Sequence, residues 1–177
     1  WTSGTNSSAT SPITLSSYWI YKFQNVGNNY YNWSSVGQNG ALLAGQGFTL
    51  KGSNEITSDQ NYTFVGKPNN GTISTAVGAN NLMLAGNPYP SAIDADEFIN
   101  DNLSTITGTL YFWEHYATNT SHNTIQYQGG YATRNLTGGT AAINGSLIPD
   151  NYIQSGQGFY VNALATSPMY FTNSMRN

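Results

Sequence analysis

Four of the eight acidic residues of this chain, Asp94, Asp96, Glu97 and Asp101, fall in one short stretch. Calcium takes several oxygen ligands and its sites often begin Asp-x-Asp, so Asp94, Asp96 and Asp101 are the candidate metal ligands. The complete EF-hand pattern is absent, with no Gly at the sixth place and no Glu at the twelfth. A plainer role competes with metal binding. Asp94 suits a helix N-cap, and Glu97 three residues later completes a capping box. Asp96 then lies in the first turn, where the helix dipole favours negative charge. Capping is the preferred reading, and calcium is the one cofactor left open.

A glycosidase needs two carboxylates facing each other across a sugar ring. Glu114 lies in an aromatic run and could oppose Asp94, Glu97 or Asp150, but no spacing in the sequence sets their separation. His115 aligns with Phe23 in the repeat described below, which predicts a partly buried, hydrogen-bonded ring; His122 sits among Asn and Thr. No His pair has metal-ligand spacing. No Gly-x-Ser-x-Gly elbow is present. The Gly45-Gln46-Gly47 and Gly156-Gln157-Gly158 triplets lack the Lys-Ser/Thr of a phosphate loop. With no cysteine, thiolate chemistry and a disulfide framework are excluded. The expectation is a protein that binds and does not catalyse.

Aromatic side chains remain, at 14% of residues. Tyr30, Tyr31, Trp33, Tyr127 and Tyr131 lie in Asn- and Gly-rich surroundings, as do Trp1 and Tyr152. Solvent-facing rings stack on sugar faces while neighbouring amides bond to hydroxyls, so these five are the candidate ligand-binding residues. The competing demand is the core, which in a chain poor in Leu must be filled by rings. Tyr30-Tyr31-Asn32-Trp33 is the densest cluster.

The elements that would position these groups read as strands. Nineteen Gly and many Asn punctuate short runs of Tyr, Phe, Trp, Thr and Val, the signature of strands joined by turns. Only 94–102 reads as a short helix, after the turn Asn87-Pro88-Tyr89-Pro90. The length of 177 residues suits one domain with its own core. The predicted fold is all-β, a two-sheet sandwich resembling a jelly roll. Charged residues are 7% of the chain, against about 25% in ordinary domains. Solubility therefore rests on 23 Asn, 20 Thr and 18 Ser. A net charge of −3 without any Lys/Arg cluster gives no footprint for nucleic acid. No apolar run is long enough to span a membrane. The absence of Cys suits an exported bacterial protein and a cytosolic one alike, while the scarcity of Lys, with Asn and Thr in its place, points to an extracellular location.

The chain also repeats itself. Tyr18–Phe23 (YWIYKF) resembles Leu110–His115 (LYFWEH), placing Lys22 and Glu114 in register and within reach of a mutual contact. Ala44–Gly52 (AGQGFTLKG) resembles Ser155–Ala163 (SGQGFYVNA), and Tyr62–Asn69 is a weaker counterpart of Met169–Arg176. Trp1–Gly4 would match Ala85–Pro88. Two similar halves, about 1–78 and 79–177, make the simplest account.

LAGNPYPSAIDADEFI, GTLYFWEH, SGQGFYV and the closing FTNSMR together resemble a module of large secreted proteins of Bacteroidota. So do WTSG, YWIYKF, AGQGFTLKG and FVGKPNNG, although Gly4 stands where that pattern has proline. In those proteins the module precedes the C-terminal sorting domain read by the type IX secretion system. The resemblance spans nearly the whole chain and carries no catalytic residues with it. It implies a fragment of a longer gliding-associated or adhesin-like surface protein, beginning abruptly at Trp1 and exported by the outer-membrane type IX machinery. An adhesion or display role follows, with surface glycans or polysaccharide as partners. The alternative is a carbohydrate-binding module of a secreted polysaccharide-degrading enzyme.

Overall fold

The computed structural model describes residues 15–23, 32–52, 64, 66–116 and 129–177. Eleven strands and one α-helix are found there: β1 (Tyr21–Phe23), β2 (Trp33–Ser35), β3 (Ile73–Val77), β4 (Leu82–Gly86), β5 (Ile93–Asp94), α1 (Ala95–Asp101), β6 (Ile106–His115), β7 (Gly129–Asn135), β8 (Gly138–Thr140), β9 (Tyr152–Ile153), β10 (Gly158–Ala163) and β11 (Ser167–Phe171). The fold is all-β with one short helix, and every strand pairing is antiparallel.

The main sheet has the order β4-β10-β6-β7-β8. It extends beyond β4 through an irregular strand, because Gln46 bridges Ala85 and Lys22 of β1 bridges Phe48. The β1–β2 hairpin thus continues the same surface. A second layer, made of the β3–β11 pair, the β5–β9 pair and α1, covers one face of this sheet. Alternation along the strands sends Phe159, Val161, Leu110 and Met83 to that side. There they meet Met169 and Phe171 of β11 and Phe98 of α1 in the main core. Phe98 packs edge-on to Phe159 at 5.3 Å and tilted on Phe171 at 5.1 Å, so the helix wedges sheet to second layer.

Asp94 starts α1 as the sequence requires. Its Oδ1 accepts hydrogen bonds from the Asp96 N–H at 2.8 Å and the Glu97 N–H at 3.0 Å. The reciprocal half of a capping box is missing, since no Glu97 side-chain bond returns to Asp94. Asn102 ends the helix and is itself buried, 1% exposed.

The two Gly-Gln-Gly-Phe segments have matching turns. Gln46 N–H donates to the Leu43 carbonyl and Gln46 Oε1 accepts from the Leu43 N–H; Gln157 does the same with Gln154. Gly45 and Gly156 both take positive φ, +83° and +74°, the left-handed region that glycine enters without a Cβ clash. Each segment pairs with β4 on one side and with an aromatic hairpin on the other, β1–β2 or β6–β7. These matched environments support an ancestral duplication, which we propose as the origin of the halves. The expected contact between Lys22 and Glu114 is not made. Lys22 donates to the Ala41 carbonyl at 3.4 Å, while Glu114 accepts from the Ser146 and Leu147 N–H groups. The two hairpins lie on opposite sides of β4 and β10, which keeps these side chains apart. Residues 66–70 lie outside any strand, so the Tyr62–Asn69 segment does not mirror β11 where it is described.

Candidate functional site: an aromatic face of the main sheet

The face of the main sheet turned away from the core carries a row of rings. Strand register builds it. Trp113 pairs with Tyr131 across β6–β7, Tyr111 with Thr133, and Tyr160 of β10 with both Tyr111 and Leu84. Directly paired residues share a face, so Trp113, Tyr131, Tyr111 and Tyr160 must project together. Phe23 and Trp33, the last pair of the β1–β2 hairpin, join from the far side. Phe23, Leu84 and Tyr160 form a small second core, with Trp33, Leu82 and Tyr111 packed against it.

Ring contacts run through Tyr160. Trp33 stands 6.4 Å from it and Tyr131 5.7 Å, both edge-on, and Phe23 also lies at 5.7 Å. Trp113 meets Tyr131 at 5.0 Å with a 67° angle between planes. Exposure grades along the row. Tyr160 is 8% exposed, whereas Trp113 and Tyr131 are each 45% exposed. The Tyr160 hydroxyl is held above its ordinary pKa, first by burial and then by the Tyr131 phenol, through charge and a side-chain hydrogen bond. It stays protonated across the physiological range.

Of the five candidate ligand-binding residues, the structure brings Trp33 and Tyr131 to this face, joined through Tyr160. Tyr30, Tyr31 and Tyr127 lie outside the described residues, as do Trp1 and His122. Tyr160 escaped the sequence reading although a signal existed. Phe159 follows the Gly-Gln-Gly turn and lies in the core, and alternation then requires its neighbour Tyr160 to face the other way.

The candidate ligands Asp94, Asp96 and Asp101 have protein partners away from this face. Asp94 caps α1 and its Oδ2 accepts from Asn151 Nδ2 at 2.8 Å. Asp96 forms a 2.9 Å ion pair with Arg134, whose guanidinium also donates to Asn151 Oδ1 at 2.8 Å. Asp101 receives only the Thr172 hydroxyl, at 3.4 Å. Among the described residues no three His, Cys, Asp or Glu side chains are grouped to hold a metal. Asp94 and Asp96 therefore meet protein donors, and Asp101 points to a different neighbour. Asp150 accepts from the Tyr152 N–H at 2.8 Å. His115 is exposed, in contrast to the partly buried ring expected. Its strand partner is Gly129, whose side-chain position is taken by the Trp113 indole.

A cleft of about 450 Å³ opens beside the rings, between the turn at Gln46 and strands β3 and β4. Phe23, Leu43, Thr75, Val77 and Met83 are among its walls, and none of its described lining residues is a carboxylate or a histidine. No helix among the described residues is long and apolar enough to cross a membrane.

No curated protein and no solved structure matches this chain. A family model does match, over residues 1–177, under the description "Domain of unknown function (DUF8693)". The chain that carries this aromatic face belongs to that family.

Proposed function

We propose that this chain is a non-catalytic recognition module of a type IX-secreted surface protein, displayed outside the cell for adhesion, and that the aromatic sheet face touches the partner. One observation carries the contact surface: Trp113 and Tyr131, packed on each other, are both 45% exposed. Large rings held rigidly in water by a sheet make low-entropy contact residues. The address rests on the sequence resemblance. Tryptophan fluorescence titrated with plant and algal polysaccharides tests the surface, since Trp113 and Trp33 both stand in it. Protease shaving of intact cells, compared between a secretion-competent strain and one lacking the type IX machinery, tests the address.

The same exposed rings favour a second reading, a carbohydrate-binding module attached to a secreted polysaccharide-degrading enzyme. The domains flanking the chain in its parent protein distinguish the two, a hydrolase in one case and adhesive repeats in the other. A flat fluorescence response to every polysaccharide would leave a protein partner for this face.

A further inference from the structure

The charged residues of strands β1, β6 and β7 lie on one side of the main sheet, and Lys51, outside these strands, sits 5.0 Å over the Trp19 ring. Lys22, Glu114 and Arg134 are the charged residues of β1, β6 and β7. Each precedes or follows a ring of the aromatic face by an odd number of positions, so all three project to the other side. Lys22 neighbours Phe23, Glu114 neighbours Trp113, and Arg134 comes three residues after Tyr131. Their hydrogen bonds agree, ending on Ala41, on the 146–147 backbone and on Asp96 with Asn151. The ring-bearing side instead offers Thr133 beside Tyr111 and Asn162 two residues beyond Tyr160, with His115 at the rim. Among the described residues of these strands it has no Asp, Glu, Lys or Arg.

Resting on the reading that this face binds glycan, we infer that its ligand is a neutral polysaccharide, engaged as separate hydrated chains. Charge matching sets the first part. A sulfated or uronic glycan draws its affinity from Lys and Arg, and would here bring its anions onto an uncompensated apolar surface. Hydroxyls suit the Thr and Asn side chains and the Tyr phenols. Ring geometry sets the second part. Planes inclined by 67° between Trp113 and Tyr131, the two exposed rings, cannot both lie flat on one crystalline surface. A flexible chain can turn from one ring to the next.

Binding of the intact chain to soluble laminarin, xyloglucan and mixed-linkage glucan is measured by calorimetry beside alginate, pectin and carrageenan. Crystalline cellulose is tested by pull-down. The expected result is affinity for at least one neutral soluble glucan, unchanged between low and high salt. Trp113→Ala and Tyr131→Ala should each weaken it about tenfold or more, the scale seen when a ring that stacks a base is removed. Trp113→Phe, which keeps a ring and the packing, should retain most of it. Preference for the anionic glycans with loss in salt would overturn the inference and leave glycan recognition standing, as would capture by crystalline cellulose alone. Neutral binding indifferent to all three substitutions would remove the site from this face. Silence towards every glycan would overturn the inference together with the glycan reading.

Discussion

Trp33 and Tyr131 stand edge-on to the same ring, Tyr160, with interplanar angles of 89° and 85°. Through Tyr160, strand β10 thus holds together an aromatic surface drawn from both hairpins. Its hydroxyl is as important as its ring. A phenol ionises near pH 10 in the unfolded chain, and burial with the neighbouring Tyr131 raises that value in Tyr160. The folded state then binds the proton more tightly than the unfolded one. Stability is accordingly full below about pH 10 and falls as pH rises beyond it. Urea unfolding midpoints measured from neutral to strongly alkaline pH should show this decline, and Tyr160→Phe should flatten it. Some slope should persist in that variant, because Tyr89 is also raised by burial, with Arg176 opposing. An unaltered slope in Tyr160→Phe would separate the alkaline loss from this hydroxyl.

Local patterns made part of this visible before any coordinates. Asp94 at the head of an apolar-periodic run specifies where α1 begins, because capping is decided within a few residues. Alternation in Leu110–His115 likewise determines that Trp113 and Leu110 face opposite ways. Pairing partners are a different matter. Nothing near Tyr160 says that it lies against Tyr111 on one side and Leu84 on the other, since register is settled by contacts far apart in sequence. The same gap misled the pairing of Lys22 with Glu114. Equivalent positions in two repeats need not be neighbours, and here the irregular strand at Gln46–Phe48, β4 and β10 separate the hairpins.

Asn102 is a joint between α1 and β11. Its Nδ2 donates to the Phe98 carbonyl at 2.8 Å and to the Tyr170 carbonyl at 2.9 Å, and its Oδ1 accepts from the Tyr170 N–H at 2.8 Å. The side-chain amide imitates a strand partner for β11 while closing the helix. Removing it leaves backbone groups buried without bonds, each costing about 1–3 kcal/mol. Asn102→Ala should therefore lose about 2–4 kcal/mol. Asn102→Asp should lose at least as much at neutral pH, since it sets a carboxylate against two carbonyls. Urea denaturation reads both, and a loss below about 0.5 kcal/mol, the scale of an ordinary surface change, would contradict this role.

The matching turns at Gly45 and Gly156 should respond unequally to the same substitution. Both have positive φ, so alanine pays a conformational cost of about 1–2 kcal/mol in each. At Gly156 nothing lies within 4 Å of the added Cβ, whereas at Gly45 it would stand 2.6 Å from Thr75 Oγ1 and 3.0 Å from a Phe171 ring carbon. Phe171 belongs to the main core and has little room to yield. Gly45→Ala should be the worse by roughly 1–3 kcal/mol, the usual penalty of overpacking. Equal melting temperatures for the two variants would show that the β3–β11 layer shifts to accommodate the methyl group.

Calcium and helix capping make opposite predictions for Asp94. If the carboxylate serves the chain itself, Asp94→Ala removes two N-cap bonds and the bond from Asn151, costing about 1–2 kcal/mol. Asp94→Asn and Asp94→Ser retain a capping oxygen and should recover much of that loss. Chelator should then leave the wild-type melting temperature unchanged, and added calcium should not raise it. Asp96→Asn should weaken the link to Arg134, whose guanidinium is largely buried, and lower stability by more than a surface ion pair would. A metal held by Asp94, Asp96 and Asp101 would instead stabilise the fold in proportion to its occupancy. Chelator would then lower the melting temperature of the wild type, and Asp101→Asn would abolish that response although Asp101 contributes only one long contact to the fold.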